Sequence, residues 1–223
     1  SFPLRATSHV DLADISDGFN SQKPGAATPF ENCGMMAEGR VWTSRALARY
    51  GGEGATLGSV LVTPGKVPDE FVLDPVSVTR EKGWVYLKGG KKEQREGRDG
   101  FTYRYSEGPV TFPDALERPS RTIVTGEGGT SPSRFKHVVP FRPTKGQYER
   151  LSLDSSQARL ARETLGLGAK QWLRRLIPIE LERLNGFPDD HTIGFSDPKR
   201  AFFMGNALVN GIVERISSEL HII

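Results

Sequence analysis

Few residues of this 223-residue chain have the types and spacing that covalent or metal chemistry needs. The single cysteine, Cys33, stands between an asparagine and a glycine, and no histidine is near it in the sequence. This setting is typical of a small packed residue rather than of an activated nucleophile. The four histidines, at positions 9, 137, 191 and 221, have no metal-ligand spacing with one another or with Cys33. The sequence therefore predicts no metal site.

A carboxylate and a histidine are adjacent in the run Asp189-Asp190-His191, which could form an acid–base pair. Consecutive aspartates after a proline are more typical of a loop or a helix cap. The chain also contains no GxGxxG loop, no Walker loop and no GxSxG elbow. The residues by themselves therefore assign no catalytic function.

The composition favours a folded domain with an anionic partner. The net charge is +3 and the pI is about 9.0, which suits nucleic-acid binding without requiring it. A single cysteine excludes an internal disulfide and a cysteine-rich zinc site, and this predicts a reducing, cytoplasmic setting. No apolar run reaches the roughly 18 residues of a membrane span, so we expect no contact with a membrane.

Two basic segments flank a glycine-rich run. Between Arg80 and Asp99 seven basic residues oppose four acidic ones, and between Arg134 and Arg150 five oppose one. The run GEGG at 126–129 lies between them. These segments are either solvated, ion-paired surfaces or surfaces that follow DNA phosphates, because lysine and arginine near a duplex release condensed counterions. The sequence leaves both interpretations open.

The elements that must position these residues begin with short strands. Residues 1–30 are rich in turn formers and predict a connector or an extended edge. Residues 35–43 predict a hairpin that turns at Glu38-Gly39. Residues 56–63 predict a strand that Pro64 ends.

Helices are predicted in the last third of the chain. Residues 155–165 predict a helix with Ser155 or Ser156 as its cap and with Leu160 and Leu165 on its apolar side.

A short helix follows over 179–184, with Pro178 at its start and Gly186 at its end. A longer helix is predicted over 201–220, with Asn206 as the cap near its start. Its apolar residues recur at helical spacing and are Leu208, Val209, Ile212, Val213 and Ile216.

Three motifs follow one another in the second half of the chain. They are RTIVTGEGG at 121–129, RRLIPIELERLNGFPDD at 174–190 and MGNALVNGIVERI at 204–216. In this order they resemble the C-terminal third of bacterial DNA (cytosine-5) methyltransferases. The first resembles the end of that family's target-recognition domain, where threonine and an aliphatic residue precede a glycine-rich loop. The second and third resemble the family's ninth and tenth blocks.

Two upstream segments are similar to recognition-domain segments of one bacterial subgroup of this family. They are PFENCGMMAEGRVWT at 29–43 and KVPDEFVLD at 66–74. The resemblance therefore covers the chain from about residue 30 to its end.

The resemblance implies an α+β fold in three parts. Residues 1–30 would be a connector, 31–173 a mostly antiparallel β target-recognition domain with long loops, and 174–223 a short helical segment. That segment would return to a Rossmann-like catalytic domain and pack on it, and the catalytic domain is missing from this chain.

The resemblance also implies a function, namely DNA target recognition and cytosine flipping by a subunit or fragment of a methyltransferase. Such an enzyme transfers a methyl group from S-adenosylmethionine to C5 of cytosine, which must leave the base stack first. Thr122 and Ile123 would lie beside the backbone of the flipped nucleotide, and the glycines would let the main chain approach the DNA. The candidate DNA-binding residues are Arg121, Thr122, Ile123, Thr125, Gly126, Gly128, Gly129, Arg134 and Lys136.

Five further residues are assigned to the junction and the cofactor by the same resemblance. Arg174, Glu180 and Arg183 would organise the junction between domains, and the alternative for the last two is a plain i,i+3 helix pair. Asn206 with Ala207 would line the edge of the S-adenosylmethionine pocket, and the alternative for Asn206 is a plain helix N-cap.

The blocks that perform the family's methyl chemistry do not occur in this sequence. There is no FxGxG cofactor loop, no Pro-Cys pair and no Glu-Asn-Val run, and Glu31-Asn32-Cys33 only superficially contains such residues. We therefore assign no catalytic residue here and predict that the chain alone is inactive. Its expected partners are double-stranded DNA and a catalytic domain or subunit that carries the cysteine nucleophile, in a bacterial cytoplasm and in a restriction–modification pair. Two alternatives remain, a non-catalytic DNA-binding module and an unrelated structural or interaction protein.

Overall fold

The computed structural model describes residues 8–11, 31–38, 40–47, 51 and 54–220. The chain forms two compact units. The first comprises Ser1–Glu53 with Ile216–Ile223, and the second comprises Gly54–Arg215.

The first unit contains a three-stranded antiparallel sheet in the order β1-β3-β2. Its strands are β1 (Ser8–Asp11), β2 (Cys33–Ala37) and β3 (Arg40–Ser44). The predicted hairpin is confirmed, since β2 pairs with β3 and Met36 lies opposite Val41. Glu38 in its turn has a φ of 51°, the left-handed conformation that tight hairpin turns require. β1 is an edge strand, and the rest of the predicted connector lies outside the described residues.

The second unit combines two small sheets with helices. Its strands are β4 (Lys91–Glu96), β5 (Thr102–Glu107), β6 (Val138–Phe141) and β7 (Trp172–Arg175), paired β4–β5 and β6–β7, both antiparallel. Its helices are α1 (Pro75–Thr79), α2 (Trp84–Lys88), α3 (Lys145–Arg150), α4 (Ser156–Leu165), α5 (Pro178–Leu184) and α6 (Asp197–Asn206), and α7 (Asn210–Glu219) begins in this unit. Short 3-10 helices cover Leu57–Val60, Pro64–Lys66, Asp69–Phe71 and Thr125–Glu127.

The pair β6–β7 separates two hydrophobic clusters. Successive side chains of a strand point to opposite faces, so Val138 packs with Trp84 and Trp172 while Val139 packs with Leu181 and Met204. The indole N–H of Trp172 donates to the carbonyl of Leu73 at 2.7 Å, which satisfies its only donor inside the core.

Two predicted helices are confirmed. α4 begins after Ser155, whose hydroxyl accepts from the backbone N–H of Ala158 at 3.3 Å. α5 has Pro178 at its first position, and Gly186 follows it with a φ of 76°.

The predicted apolar side of α4 is wrong at Leu160, which is 53% exposed. The helix turns Arg162 inward instead, because its guanidinium donates to the carbonyl of Leu153 at 2.8 Å and lies 5.6 Å from the ring centre of Trp172.

The predicted strand over 56–63 is wrong, because distant backbone groups hold this segment as a 3-10 turn. The N–H groups of Leu57 and Gly58 donate to the carbonyls of Arg118 and Leu116, each at 2.8 Å. These tertiary hydrogen bonds take the place of a strand ladder, and the β-branched composition of the segment does not reveal them.

The single helix predicted over 201–220 is also wrong. The chain forms α6 and α7 with a break at 207–209, and the N–H of Asn210 donates to the carbonyl of Asn185 at 2.9 Å. Asn206 therefore ends a helix instead of capping the start of one.

The expected α+β class is confirmed in its coarse form, as small antiparallel sheets accompanied by helices. Strand β7 spans the 173/174 boundary that the sequence analysis placed between the recognition domain and the C-terminal segment. The division into these two parts therefore stays a prediction. Among the described residues, no helix has both the length and the apolarity needed to cross a membrane.

Candidate functional site

The glycine-rich loop after β5 is held at its start by Arg121. The guanidinium makes two hydrogen bonds to the buried carboxylate of Asp114, at 2.6 and 3.2 Å, and donates to the carbonyl of Phe135 at 3.1 Å. Asp114 also accepts from the N–H of Val138 at 2.8 Å, at the start of β6. Arg121 also donates to the carbonyl of Lys136. It thus positions the loop through four hydrogen bonds, three of them partly buried, rather than projecting freely into solvent.

The loop itself presents polar groups outward. Thr122, Thr125 and Gly126 are exposed, while Ile123 is half-buried and packs on the cluster around Leu181. Thr122 is thus exposed next to Ile123, which packs against the core. This arrangement suits Thr122 to a close contact with a ligand outside the chain.

Two glycines bring the loop and helix α6 into backbone contact. A Cβ placed on Gly205 would lie 2.5 Å from the Cα of Thr125, and one on Gly128 would lie 2.8 Å from the Cα of Pro198. Neither distance leaves room for a side chain. The structure therefore joins the loop at 121–129 to the Gly-Asn end of α6, two motifs that are more than 70 positions apart in the sequence.

A buried row of polar residues fixes the two ends of the loop. The fully buried His137 lies between Glu127 and Ser120, with 3.1 Å from Nδ1 to the Glu127 carboxylate and 3.1 Å from Nε2 to the Ser120 hydroxyl. The backbone N–H of His137 also donates to Glu127 at 2.5 Å. The Ser120 hydroxyl donates to the carbonyl of Arg121 at 2.9 Å, so this row is engaged in holding the loop.

Sequence reasoning missed this row, since a spacing of ten residues between Glu127 and His137 carries no recognisable signal.

Arg134 and Lys136, both predicted to bind DNA, have partners within the chain. Arg134 donates to the carbonyls of Leu87, Gly89 and Gly108 and pairs with Glu107 at 3.3 Å. The ammonium of the buried Lys136 donates to the carbonyls of Gly129 and Ser131, at 3.0 and 2.9 Å, and burial lowers the pKa of this amine. The structure therefore gives both residues an anchoring role, and a contact with DNA stays a prediction.

Two of the three junction residues, Arg174 and Glu180, form a buried network that spans several elements. Arg174 and Glu180 form a two-pronged ion pair with both distances at 2.7 Å, and both side chains are essentially fully buried. The Glu180 carboxylate also accepts from the N–H of Val62 at 2.9 Å and of Ile177 at 3.0 Å.

The alternative of a Glu180–Arg183 helix pair is wrong. Arg183 pairs instead with Asp189, through two hydrogen bonds of 2.6 Å, and donates to the carbonyl of Val60 at 2.9 Å. The Arg183 guanidinium holds the pKa of Asp189 below its ordinary value.

The possible acid–base pair at 189–191 is likewise structural. Asp190 pairs with Arg200 at 3.2 Å, and the His191 ring stacks on Phe187 with 4.7 Å between ring centres.

Asn206 and Ala207, the predicted cofactor residues, lie at the end of α6. The exposed Asn206 donates its amide N–H to the carbonyl of Phe202 at 2.9 Å, and Ala207 is the half-buried C-cap. The predicted N-cap alternative for Asn206 is therefore wrong, whereas a role at a cofactor pocket is untested.

A cavity of about 150 Å³ lies nearby between the glycine loop and strand β7. Arg175, Glu127 and Asp197 line it, and burial lowers the pKa of the Arg175 guanidinium against the opposing effect of these carboxylates. Small-molecule sites usually enclose about 300–1,000 Å³. This cavity alone is too small for S-adenosylmethionine, and neither Asn206 nor Ala207 is among its lining residues.

The described residues hold no group of three histidine, cysteine or acidic side chains that could bind a metal ion. Cys33 lies half-buried in β2, and Asn32 beside it makes two hydrogen bonds with the backbone of Ala46, at 2.7 and 2.8 Å. These hydrogen bonds join the two ends of the hairpin. Asn32 of the Glu-Asn-Cys run therefore has a structural role.

Comparison with known proteins identifies a family and a relative of this chain. Residues 79–221 match the profile of C-5 cytosine-specific DNA methylases. The Type II methyltransferase M.Sau3AI of Staphylococcus aureus is 35% identical over 210 residues, which cover 94% of this chain and 40% of that protein. The chain thus spans less than half the length of this relative. No solved structure gives a significant match.

Proposed function

Because this chain belongs to the family of C-5 cytosine-specific DNA methylases, we propose that it is the DNA-recognition and C-terminal part of an enzyme that methylates cytosine at C5 in duplex DNA. The observation that carries this proposal is the docking of the loop at 121–129 on the Gly-Asn end of α6. This contact brings a candidate DNA-facing threonine next to a candidate cofactor-facing asparagine.

The loop would act on the DNA through its exposed residues. Thr122 would support the backbone of the extruded nucleotide with its hydroxyl, because the C5 atom of cytosine cannot be reached while the base is stacked. Gly126 would let the main chain approach the sugar-phosphate backbone without a Cβ. Arg121, Arg134 and Lys136 would hold the loop in place for these contacts, and any base or phosphate contact of theirs would come in addition.

The rest of the active site would come from a segment outside this chain. Cytosine C5 becomes nucleophilic only after a thiolate has added to C6, and the half-buried Cys33 of β2 makes no hydrogen bond with a side chain that the structure describes. S-adenosylmethionine would supply the methyl group. Asn206 and Ala207 would line one edge of its pocket, and α7 would pack on the catalytic domain.

This catalytic domain belongs either to a longer polypeptide or to a partner subunit. The greater length of the staphylococcal relative supports a larger assembly. Protection of host DNA in a bacterial cytoplasm would be the role of such an enzyme.

The first test is the intact mass of the polypeptide in its source cells. A mass near 24.6 kDa identifies a subunit whose co-purifying partner must carry the cysteine nucleophile. A clearly larger mass identifies a single-chain enzyme. The complete species is then assayed for transfer of labelled methyl groups from S-adenosylmethionine to duplex cytosine, and absence of transfer overturns the proposal.

The loop role is tested by Thr122→Ala in that complete species. We expect base exposure, measured by the fluorescence of 2-aminopurine at the target, to fall about tenfold because a hydrogen bond to the extruded nucleotide is lost. Duplex affinity, measured by anisotropy, should change much less. Thr130→Ala, an exposed threonine nearby in the sequence, is the matched control. Equal losses of exposure and affinity in Thr122→Ala would contradict this role.

A further inference from the structure

The hairpin β4–β5 has two unlike faces. Its register pairs six residues of each strand, with Gln94 opposite Arg104 near the middle. Because side chains alternate along a strand, odd-numbered residues share one face and even-numbered residues share the other. The hairpin pairs with no other strand of the described sheets.

The odd-numbered face is occupied by its own contacts. Arg95 lies 3.5 Å from the ring centre of Tyr105 and donates to Glu93 at 2.9 Å. Glu107 accepts from Lys91 at 2.5 Å and from the hydroxyl of Tyr105 at 2.6 Å. These contacts stiffen the ribbon and neutralise most of its charge on this side.

The even-numbered face is open. Its six side chains are all exposed, and none makes a hydrogen bond or an ion pair with another residue that the structure describes. They are Lys92, Gln94, Glu96, Thr102, Arg104 and Ser106. The four long side chains among them, of Lys92, Gln94, Glu96 and Arg104, are free to contact an external partner.

The base of the hairpin is fixed to the candidate DNA loop. The Arg134 guanidinium donates to the carbonyls of Gly89 and Gly108, one on each side of the hairpin base. The next two residues, Phe135 and Lys136, accept hydrogen bonds from Arg121 at their carbonyls. The base of the hairpin and Arg121, which precedes Thr122, are therefore both bound to the segment 134–136.

The chemistry of this face matches one ligand. The major groove of B-DNA is about 12 Å wide and admits a two-stranded ribbon, which at six residues is about 20 Å long. Arginine binds guanine O6 and N7 with two hydrogen bonds, and glutamine binds adenine N6 and N7 in the same way. The face has a net positive charge, because it carries the two basic residues Lys92 and Arg104 and the single acidic residue Glu96.

We propose that the open face of β4–β5 enters the major groove of the target duplex, where Arg104 contacts a guanine, Gln94 contacts an adenine and Lys92 contacts a phosphate. This inference rests on the proposed function, and it assigns the sequence-reading contacts to named residues.

The test uses the full 223-residue chain and a pool of random duplexes at low salt. The variants are Arg104→Lys, Arg104→Ala and Gln94→Ala, with Arg159→Ala on α4 as the control for loss of an exposed charge. Arg104→Lys is the sharpest variant, because lysine keeps the charge and loses the two-pronged geometry. Thermal unfolding checks that each variant folds.

We expect the wild-type chain to enrich duplexes with guanine and adenine at fixed positions. Arg104→Lys should lower the preference for guanine roughly ten- to hundredfold and leave affinity for unrelated duplexes unchanged. Gln94→Ala should do the same for adenine, and Arg159→Ala should keep both preferences.

Three results would overturn the inference, and they differ in what they say about the proposed function. An unaltered base preference in Arg104→Lys and Gln94→Ala would assign sequence reading elsewhere and leave the proposed function standing. Binding without any preference by the wild-type chain would also leave the duplex contact standing. Absence of duplex binding by the wild-type chain would overturn the inference too, whereas the methyl-transfer assay of the complete species decides the proposed function.

Discussion

Arg174 and Glu180 face each other in the interior, and each would be an uncompensated buried charge without the other. Both oxygens of Glu180 also accept backbone N–H groups, from Val62 and Ile177. The pair therefore joins strand β7, helix α5 and the segment after the first 3-10 helix. Its contribution lies in fixing these elements relative to one another, since desolvation offsets much of the attraction.

Glu180→Ala should lower the free energy of unfolding by about 3–5 kcal/mol, because it leaves the Arg174 guanidinium buried without a counter-charge. Urea denaturation measures this change. Lys145→Ala is the control, since Lys145 lies 3.9 Å from Glu149 with both side chains exposed and should change stability by less than about 0.5 kcal/mol. Similar losses of unfolding free energy in the two variants would show that the buried pair contributes no more to stability than an exposed one.

Lys88 is a buried amine whose environment opposes its charge. Burial lowers its pKa from 10.5 to about 8, although the Asp114 carboxylate favours the charged form. The ammonium donates to the carbonyl of Lys136 and lies 6.0 and 5.9 Å from the ring centres of Trp84 and Phe112. The folded chain therefore releases this proton at a lower pH than the unfolded chain does.

This difference predicts that stability rises with pH above about 8. Between pH 8 and 10.5 the unfolded chain binds the proton that the folded chain has lost, so the free energy of unfolding increases, by at most about 3 kcal/mol from this group. Urea denaturation of Lys88→Met at pH 8 and pH 10 should show a smaller rise than the wild type. Lys170→Met, at an exposed lysine, should keep the wild-type rise, and an equal rise in Lys88→Met would contradict the assignment.

Among the secondary-structure elements, local signals were sufficient where the stabilising groups are local. The Ser155 cap, Pro178 and the Glu38 turn each act within a few residues of their own element, and the elements they mark are confirmed. The 3-10 turn at Leu57 depends on carbonyls some 60 positions away, and the break before Asn210 depends on Asn185. No pattern within either segment reports such partners.

The candidate site divides in the same way. The motif resemblance selected Thr122 and the glycines. Only the structure shows that Arg134 and Lys136 donate hydrogen bonds to backbone carbonyls within the chain. The buried Glu127–His137 contact had no signal in the sequence at all.

The contact between α6 and the glycine loop depends on the missing side chain of Gly205. A methyl group there would lie 2.5 Å from the Cα of Thr125, so Gly205→Ala must push the helix away from the loop. We expect a loss of about 1–3 kcal/mol in the free energy of unfolding, as for other overpacked sites. The matched control is Gly211→Ala in α7, where the added methyl meets open space and helix propensity should raise stability by up to about 1 kcal/mol. Urea denaturation of both variants decides the point, and an unchanged stability in Gly205→Ala would contradict the contact.

For the molecule as a whole, exposed apolar residues near the C-terminal end form a candidate contact surface. Ile212 is 57% exposed, Ile216 54% and Leu208 72%, and they recur at helical spacing in and just before α7. A cluster of exposed aliphatic residues of this kind usually marks a contact surface. The proposed catalytic domain is the partner that this surface would meet.

We therefore expect the isolated chain to bind a hydrophobic dye such as ANS, and the double variant Leu208→Asp/Ile212→Asp to lose a large part of that fluorescence. Its free energy of unfolding should change little, because both side chains are exposed already. Val76→Asp, at a separately exposed valine of α1 that is 51% accessible, should keep the signal. A wild-type chain without dye uptake would count against a missing partner.

The separation of anchors and open face in the hairpin β4–β5 has a consequence for how the target specificity of such an enzyme could evolve. The anchors described above lie at its base, in Lys91, Glu107 and Arg134, whereas the side chains of its open face make no hydrogen bond or ion pair with another described residue. Substitutions on that face carry little penalty in folding, so selection for a new target sequence can proceed there without conflict with selection for stability. If the hairpin reads the target as proposed, substitutions on its open face would change the target sequence while the scaffold stays the same.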